Sequence, residues 1–204
     1  MLRKLELSIL IGFILTICMS LLTGFSNFAG ECGEISDKLL RLHVIANSDS
    51  DADQAIKLAV RDRVLAECGD LLFDNAGKQA AKDELSLQLP RIEQAANALL
   101  AENGFAYTAS ATIEKRWFDI RVYNTVTLPA GRYDALCLRL GEARGKNWWC
   151  VVFPPMCLPA ASEQEALKEV LSEDELKIVT EQNTYHVRFK LLELYEQLIG
   201  ENKK

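Results

Sequence analysis

Residues 105–128 of this 204-residue chain read FAYTASATIEKRWFDIRVYNTVTL, and this stretch decides the predicted fold. From Phe105 onward every second residue is apolar, and the residues between are small or polar. The alternation resumes after Lys115-Arg116 and continues to Leu128. Because successive strand side chains point to opposite faces of a sheet, two such segments around a charged pair predict an antiparallel hairpin with one buried face.

The segments on either side of this stretch complete a mixed α and β pattern. Ser50 with Asp53 three positions later is typical of a helix N-cap. The other predicted elements are a strand at 39–46, helices at 79–89 and 92–100 separated by Pro90, a short helix at 133–143, an interior strand at 148–153, and a last helix striped by Val187, Leu191, Leu194 and Leu198. This order predicts an α/β (α+β) fold class, with a mixed sheet of about four strands that includes an antiparallel hairpin, covered by helices and preceded by one N-terminal apolar helix.

A short basic tip and an uncharged apolar run begin the chain. Arg3 and Lys4 precede a stretch without charge from Leu7 to Gly30. Its most apolar part, residues 7–22, is intermediate in length between a signal-peptide core and a full membrane span. Because basic flanking residues stay on the cytoplasmic side, the charge bias predicts that the rest of the chain is exported.

Whether this run is cut away stays open. Gly24 and Ser26 are small residues spaced as in a signal-peptide cleavage site, and Ala29 is an alternative end point. Residues 1–30 are expected to be a signal peptide or an N-terminal membrane anchor, and residues 31–204 the exported domain. Released and tethered forms both agree with this pattern.

The composition argues against several classes of function. Hydrophobic residues make up 49% of the chain and charged residues 25%, which is typical of a folded globular protein. The net charge is -6 and no cluster of Lys or Arg stands out, so we expect neither nucleic acid nor an anionic lipid surface as the main partner. Beyond the apolar run about 170 residues remain, enough for one domain with its own core.

The sequence lacks the patterns of common catalytic and metal sites. It has two histidines and no H-E-x-x-H, C-x-x-C or G-x-S-x-G motif. Asp49, Asp51 and Asp53 have the spacing of a calcium loop, but the Gly and Glu that complete such a loop are missing. Helix capping explains these aspartates better. We expect no metal, no cofactor, no small-molecule substrate and no catalytic residue.

Cysteines and tryptophans suggest structural and binding roles. The cysteines outside the apolar run are Cys32, Cys68, Cys137, Cys150 and Cys157. Because Cys150 and Cys157 flank the Pro154-Pro155 turn of an exported domain, we expect a disulfide between them; two buried thiols are the alternative. The pairing of the other three stays open.

Trp148 and Trp149 are adjacent, so a strand would direct them to opposite faces. Core packing of both is favoured. The alternative is that one of them joins Phe153 and Pro154-Pro155 in an exposed apolar patch that binds a protein.

Four segments resemble the stage II sporulation protein R family. They are LRLHVIANSD (40–49), KLAVRD (57–62), LPAGRY (128–133) and GKNWWCVVFPPMC (145–157), and the WWCVVFPP run is the most specific of them. Met156 departs from the Leu expected there, a volume-conserving change of little consequence.

The resemblance implies a signalling role in endospore-forming bacteria and no enzymatic activity of the chain itself. Proteins of this family are made in the forespore and exported across its membrane into the space between two membranes. There they activate a membrane-embedded aspartic protease of the mother cell, which processes the precursor of the early mother-cell sigma factor (pro-sigma-E). Residues 31–204 would then be an exported signalling domain, secreted or membrane-anchored.

The two most motif-dense segments are the hypothetical activating surface, because loops at strand ends commonly present binding groups. The candidate partner-binding residues are His43, Asn47, Ser48, Asp49, Trp149, Pro154 and Pro155. Two other functions stay open: an exported hydrolase that uses His43 with Ser48 or a cysteine, and a tethered scaffold for an envelope complex.

Overall fold

The computed structural model describes residues 2–73, 77–123, 125–156, 163–181, 185 and 188–195. Its helices are α1 (Leu2–Lys38), α2 (Asp51–Phe73), α3 (Lys78–Glu102), α4 (Glu163–Lys168) and α5 (Glu173–Thr180). Its strands are β1 (Leu40–Ile45), β2 (Ala109–Phe118), β3 (Arg121–Val122), β4 (Thr127–Leu128), β5 (Gly131–Leu140) and β6 (Asn147–Phe153). Residues 188–195 are also helical and form the C-terminal helical segment.

The main sheet is four-stranded in the order β2-β5-β1-β6. Strand β1 runs parallel to β5, and the other pairs are antiparallel. Strands β3 and β4 form a separate small antiparallel pair. The predicted fold class, a mixed sheet of about four strands covered by helices, is therefore confirmed.

Two hydrophobic layers enclose the sheet. One layer lies between the sheet and helices α2 and α3, and it receives Leu40, Leu42 and Val44 of β1. The other contains side chains of α1, α5 and the C-terminal helical segment. Because strand side chains alternate, Arg41 and His43 point into this second layer, as the sequence pattern predicts for β1.

The predicted turn at Lys115-Arg116 is wrong, because β2 continues through both residues to Phe118 and pairs with β5. The two cations are accommodated on the strand by acidic neighbours: Arg116 contacts Glu114 at 3.0 Å, and Lys115 lies 3.7 Å from Asp37. The antiparallel hairpin exists further along the chain, between β3 and β4, and it is much smaller than predicted.

The predicted helix at 133–143 is also wrong, because this segment is β5, an inner strand of the sheet. Both faces of β5 are buried, with Leu136 and Leu138 in one hydrophobic layer and Ala135 and Cys137 in the other. A strand buried on both faces has no polar side, so its sequence pattern resembles that of a buried helix.

Strand β6 lies at an edge of the sheet, so the prediction of an interior strand is wrong. Its apolar run follows from the helices that cover both faces, since Cys150 and Val152 lie in one layer and Val151 in the other. Packing above and below the sheet, and not a second neighbouring strand, explains the pattern.

Three helix predictions have mixed outcomes. The N-cap is confirmed, because the Asp53 backbone N–H donates to Ser50 Oγ at 3.2 Å. Pro90 lies inside a single helix α3 and does not break it, since buried residues continue on both sides of it along the face packed on the sheet. The predicted last helix is confirmed over residues 188–195, where Leu191 and Leu194 of its apolar stripe lie on an exposed face; Val187 and Leu198 lie outside the described residues.

Helix α1 is long and apolar enough to cross a membrane, by length and composition. It continues without interruption past residue 30, so the predicted domain boundary falls inside the helix. Its last turns belong to the domain core, where Phe28, Cys32 and Ile35 are buried. The apolar run and the domain are thus joined by a continuous helix.

Candidate functional site

Two loops meet at one end of the sheet and form what we call the loop platform, residues 46–49 after β1 and residues 141–146 between β5 and β6. Parallel pairing of β1 and β5 brings their carboxyl ends together, so the loops that follow them are neighbours. The Gly145 N–H donates to the Ala46 carbonyl at 2.9 Å, and the Arg144 N–H donates to the Asn47 carbonyl at 3.2 Å. The structure therefore brings two separate motif-dense segments into one surface.

Asp53 holds the first loop of the platform in place. Its carboxylate accepts hydrogen bonds from Ser48 Oγ at 2.5 Å, Asn47 Nδ2 at 3.0 Å and the Tyr107 hydroxyl at 2.5 Å. Burial alone would raise the pKa of Asp53, but these hydrogen bonds outweigh it and lower the pKa to about 2. The group is therefore an anion at neutral pH, buried and fully engaged.

Further side chains tie the two loops to each other. Asn47 Oδ1 accepts from the Glu142 N–H at 2.9 Å, and Asp49 Oδ1 accepts from the Lys146 N–H at 2.7 Å. The ammonium of Lys57, which is buried, donates to the Lys146 carbonyl at 3.2 Å. Burial lowers the pKa of Lys57, and the nearby Asp49 carboxylate opposes that change.

Two glycines permit this close approach of the two loops. A side chain at Gly145 would overlap the Ser48 carbonyl, and one at Gly141 would overlap the Asn47 amide. Gly141 also has a φ of 56°, in the region that favours glycine. The requirement for glycine at position 145 gives a physical reason for the Gly that begins the GKNWWC segment.

His43 lies beneath this surface and not on it. It is 1% exposed, and its ring stacks on Trp149 with ring centroids 3.7 Å apart. Among the described residues, neither ring nitrogen of His43 has a hydrogen-bond partner. Burial is the main cause that lowers the pKa of His43 to about 4, so the ring is neutral at pH 7.

Aromatic and cationic side chains pack against this stack. Phe118 meets Trp149 edge-on at 4.8 Å, and the Arg121 guanidinium lies 5.2 Å from the Trp149 ring centroid. Arg41 is fully buried with its guanidinium 4.4 Å from the Phe118 ring, and burial lowers its pKa. His43 and Trp149 therefore brace β1 against β6 from within the second layer.

The remaining candidates fall in different places. Asp49 is exposed, whereas Asn47 and Ser48 are half-buried on the platform. Pro154 is buried and Pro155 half-buried, and both follow the far end of β6, so they do not belong to the platform. Since β6 has 7 residues, roughly 20 Å separate the two places.

Trp148 is the exposed member of the tryptophan pair, at 36% exposure, with the Arg61 guanidinium 4.2 Å above its ring. Trp149 is half-buried against the second layer. The expectation that both would pack in the core is therefore wrong for Trp148, which extends the exposed surface next to the platform.

The cysteines differ in state. Cys150 is disulfide-bonded, and its partner is not among the residues whose side chains are described, so pairing with Cys157 stays a prediction. Cys32 and Cys137 are buried free thiols, and burial raises the pKa of each to about 12. A thiol with so high a pKa is a poor nucleophile at neutral pH.

The alternative chemistries find little support in this geometry. Ser48 Oγ donates to Asp53, while His43 is stacked on Trp149, so no nucleophile–base pair joins Ser48 and His43 in the described part of the chain. Within the described residues there is also no group of three or more His, Cys, Asp or Glu side chains placed to hold a metal ion.

Sequence reasoning missed the residues that assemble the platform. Asp53 was assigned to helix capping, and nothing in the sequence connects it to Tyr107, which is 54 positions away. The available signal was the density of short polar residues from Asn47 to Asp53, which exceeds what one helix cap requires.

The fold and this site define an α+β domain that is continuous with an N-terminal apolar helix and presents a pre-formed loop surface. Residues 36–163, more than half of the chain, match the family described as stage II sporulation protein R. The chain belongs to that family, which implies a role in sporulation.

One curated relative is the stage II sporulation protein R of Bacillus subtilis (strain 168). It is 36% identical over 147 residues, which cover 72% of this chain and 66% of that protein. The chain thus spans slightly less than two thirds of the relative's length. No solved structure matches the chain.

Proposed function

We propose that this chain is a sporulation signal made in the forespore and exported across the forespore membrane, where it activates a membrane-embedded aspartic protease of the mother cell. The protease then processes the precursor of the early mother-cell sigma factor. The chain is the activating ligand and not an enzyme. Family membership, the apolar helix α1 and the non-catalytic arrangement of Ser48 and His43 all support this proposal.

The observation that carries the proposal is the position of the loop platform relative to α1. Helix α1 packs beside Ala130 and Gly131 at the start of β5, whereas the platform follows the end of that strand. Strand β5 has 10 residues, so roughly 30 Å separate the two ends. A domain attached to one membrane through α1 would therefore direct the platform toward the facing membrane.

The contact surface in this proposal is the exposed rim of the platform. Arg144 is 79% exposed and Glu142 is 68% exposed at their side chains, and Lys146 and Asn147 are exposed beside them. Asn47, Ser48 and Asp49 shape this rim from below, and His43 with Trp149 brace it. Pro154 and Pro155 follow the far end of strand β6 and are not part of this contact surface.

The test is co-expression of this chain with the protease and its precursor substrate, scored by cleavage of the precursor. Reversing two rim charges, Arg144→Glu with Lys146→Glu, should abolish cleavage because it reverses the charge of the proposed contact surface. Both side chains are exposed, so the variant should still fold. The matched control is Lys115→Glu with Lys177→Glu, two exposed cations away from the platform. Equal cleavage in both double variants, with both chains folded, would refute the platform as the contact surface.

Export is tested separately by deleting residues 2–22. This deletion leaves Phe28 and the rest of the core intact. The deleted chain should stay in the compartment that produces it. If the precursor is still cleaved under that condition, the proposal of an exported signal is wrong.

A further inference from the structure

The C-terminal helical segment has two faces with different surroundings. Phe189 and Leu192 are buried, at 1% and 2% exposure, in the layer that also holds Phe28. Leu191, Leu194 and Tyr195 are 53%, 61% and 45% exposed on the adjacent face. An exposed stripe of large apolar side chains at helical spacing is typical of a surface that contacts a membrane or another protein.

The position of this stripe next to α1 indicates that it contacts a membrane. The Tyr195 ring meets Phe25 of α1 edge-on, with ring centroids 5.4 Å apart. Leu21 and Leu22, which are 68% and 64% exposed, lie one helical turn before Phe25 on α1. Because a turn rises about 5.4 Å, the exposed stripe adjoins the end of the apolar run that is long enough to cross a bilayer.

The side chains of this region match the chemistry of a membrane interface. Tyrosine is enriched where a bilayer meets water, because its ring is apolar and its hydroxyl polar. Arg188 is exposed one turn before Leu191 and Leu192, with its guanidinium 5.9 Å from the Phe28 ring. A tyrosine and an exposed arginine that flank an apolar stripe agree with a helix that lies in the headgroup region of a bilayer.

The end of α1 also argues for its retention. Cleavage after Ala29 would remove Phe28, which stacks with Tyr185 and contacts Phe189 in the core. Cleavage after Ser26 would remove Phe25 and leave a charged amino terminus next to the same aromatic cluster. Both cuts would damage the packing that holds the C-terminal helical segment to the domain.

We propose that the chain keeps α1 as a membrane anchor and that its C-terminal helical segment lies in the headgroup region of the same bilayer, with Leu191, Leu194 and Tyr195 inserted. The apolar stripe thus contacts lipids of the same bilayer that α1 crosses. This arrangement holds the domain at the membrane surface in a defined orientation. It does not depend on the signalling role and would stand if that role were wrong.

The experiment places the photo-reactive residue p-benzoylphenylalanine in the full-length chain, expressed in bacterial cells whose membrane is mainly phosphatidylethanolamine and phosphatidylglycerol. The test positions are Leu191 and Leu194. The control position is Leu87 of α3, which is also an exposed leucine (75%) but lies on the helix layer that covers the opposite face of the sheet. After illumination, adducts are identified by mass spectrometry, and the mass of the unmodified chain shows whether α1 is retained.

The expected result is phospholipid adducts at Leu191 and Leu194, no adduct at Leu87, and a chain that retains residues 1–26. A soluble chain without its apolar run would overturn the proposal, and so would adducts to a second copy of the chain in place of lipid. Equal lipid adducts at all three positions would also overturn it. Equal melting temperatures of the three variants would show that the probe does not disturb the fold, and using two test positions protects against failure of one of them.

Discussion

Gly145→Ala is the substitution for which the structure makes the sharpest prediction. An alanine Cβ at this position would overlap the carbonyl group of Ser48 and come within 3.0 Å of the Ala46 side chain. The obstacle is backbone and not the end of a flexible side chain, so the two loops of the platform must separate. The substitution therefore tests whether the platform is a locked surface.

The expected loss of stability follows from the hydrogen bonds that would break when the two loops move apart. These are Gly145 N–H to Ala46, Arg144 N–H to Asn47 and Lys146 N–H to Asp49, at 2.9, 3.2 and 2.7 Å. At about 1 kcal/mol net for each, the free energy of unfolding should fall by about 3 kcal/mol. The value agrees with the range of about 1–3 kcal/mol for overpacked sites.

The assay is guanidinium unfolding of the full chain in detergent micelles, followed by tryptophan fluorescence. The control is Gly33→Ala on an exposed face of α1, where an added Cβ meets nothing within 4 Å. That change should stabilise by about 1 kcal/mol, because alanine is the better helix former. A surface substitution usually changes the free energy of unfolding by no more than about 0.5 kcal/mol. If Gly145→Ala changes it by no more than that, the two loops do not approach as closely as the structure shows.

Three further predictions concern His43, Asp53 and Cys150, which are buried. Burial lowers the pKa of His43 from 6.5 to about 4, so keeping the ring neutral in the folded state costs nothing above pH 6.5. As the pH falls from 6.5 toward 4, the free energy of unfolding should decrease by about 3 kcal/mol. Free energies of unfolding measured at several pH values should show this decrease in the unmodified chain but not in His43→Phe. Asp53→Asn should lower the free energy of unfolding by about 2 kcal/mol at pH 7, because the amide replaces an anionic acceptor of three hydrogen bonds, and a difference near zero would contradict the role of that charge. Alkylation of the exported chain with and without reductant, followed by peptide mapping, should find Cys150 linked to Cys157, and a different partner would contradict that pairing.

The elements predicted correctly are those whose sequence contains a one-sided pattern or a local signal. Strand β1 alternates between two chemically different sets of residues, and the Ser50–Asp53 cap acts over three positions of the chain. Such features depend on neighbours in sequence. Strand β5 was mistaken for a helix because both of its faces are apolar, and this reflects its position in the middle of a covered sheet.

The candidate site was likewise predicted from the sequence only in part. The segments that contain Asn47, Asp49 and Trp149 were recognisable in the sequence, as was the N-terminal apolar run. The burial of His43 and the hydrogen bonds of Asp53 were not, because they depend on contacts between residues far apart in the chain. A polar residue in a dense motif has the same sequence signature whether it contacts a partner or locks a loop.

The uncharged apolar N-terminal run, the α+β class of the domain and the motifs of the sporulation family could all be read from the linear chain, because composition, periodicity and short motifs are properties of the sequence. Only the tertiary structure decided that α1 continues into the core, that the two loops form one platform at the opposite end of the sheet, and that Leu191 and Leu194 face outward. These properties depend on which surfaces are buried against each other, and burial is settled only when all the layers pack together.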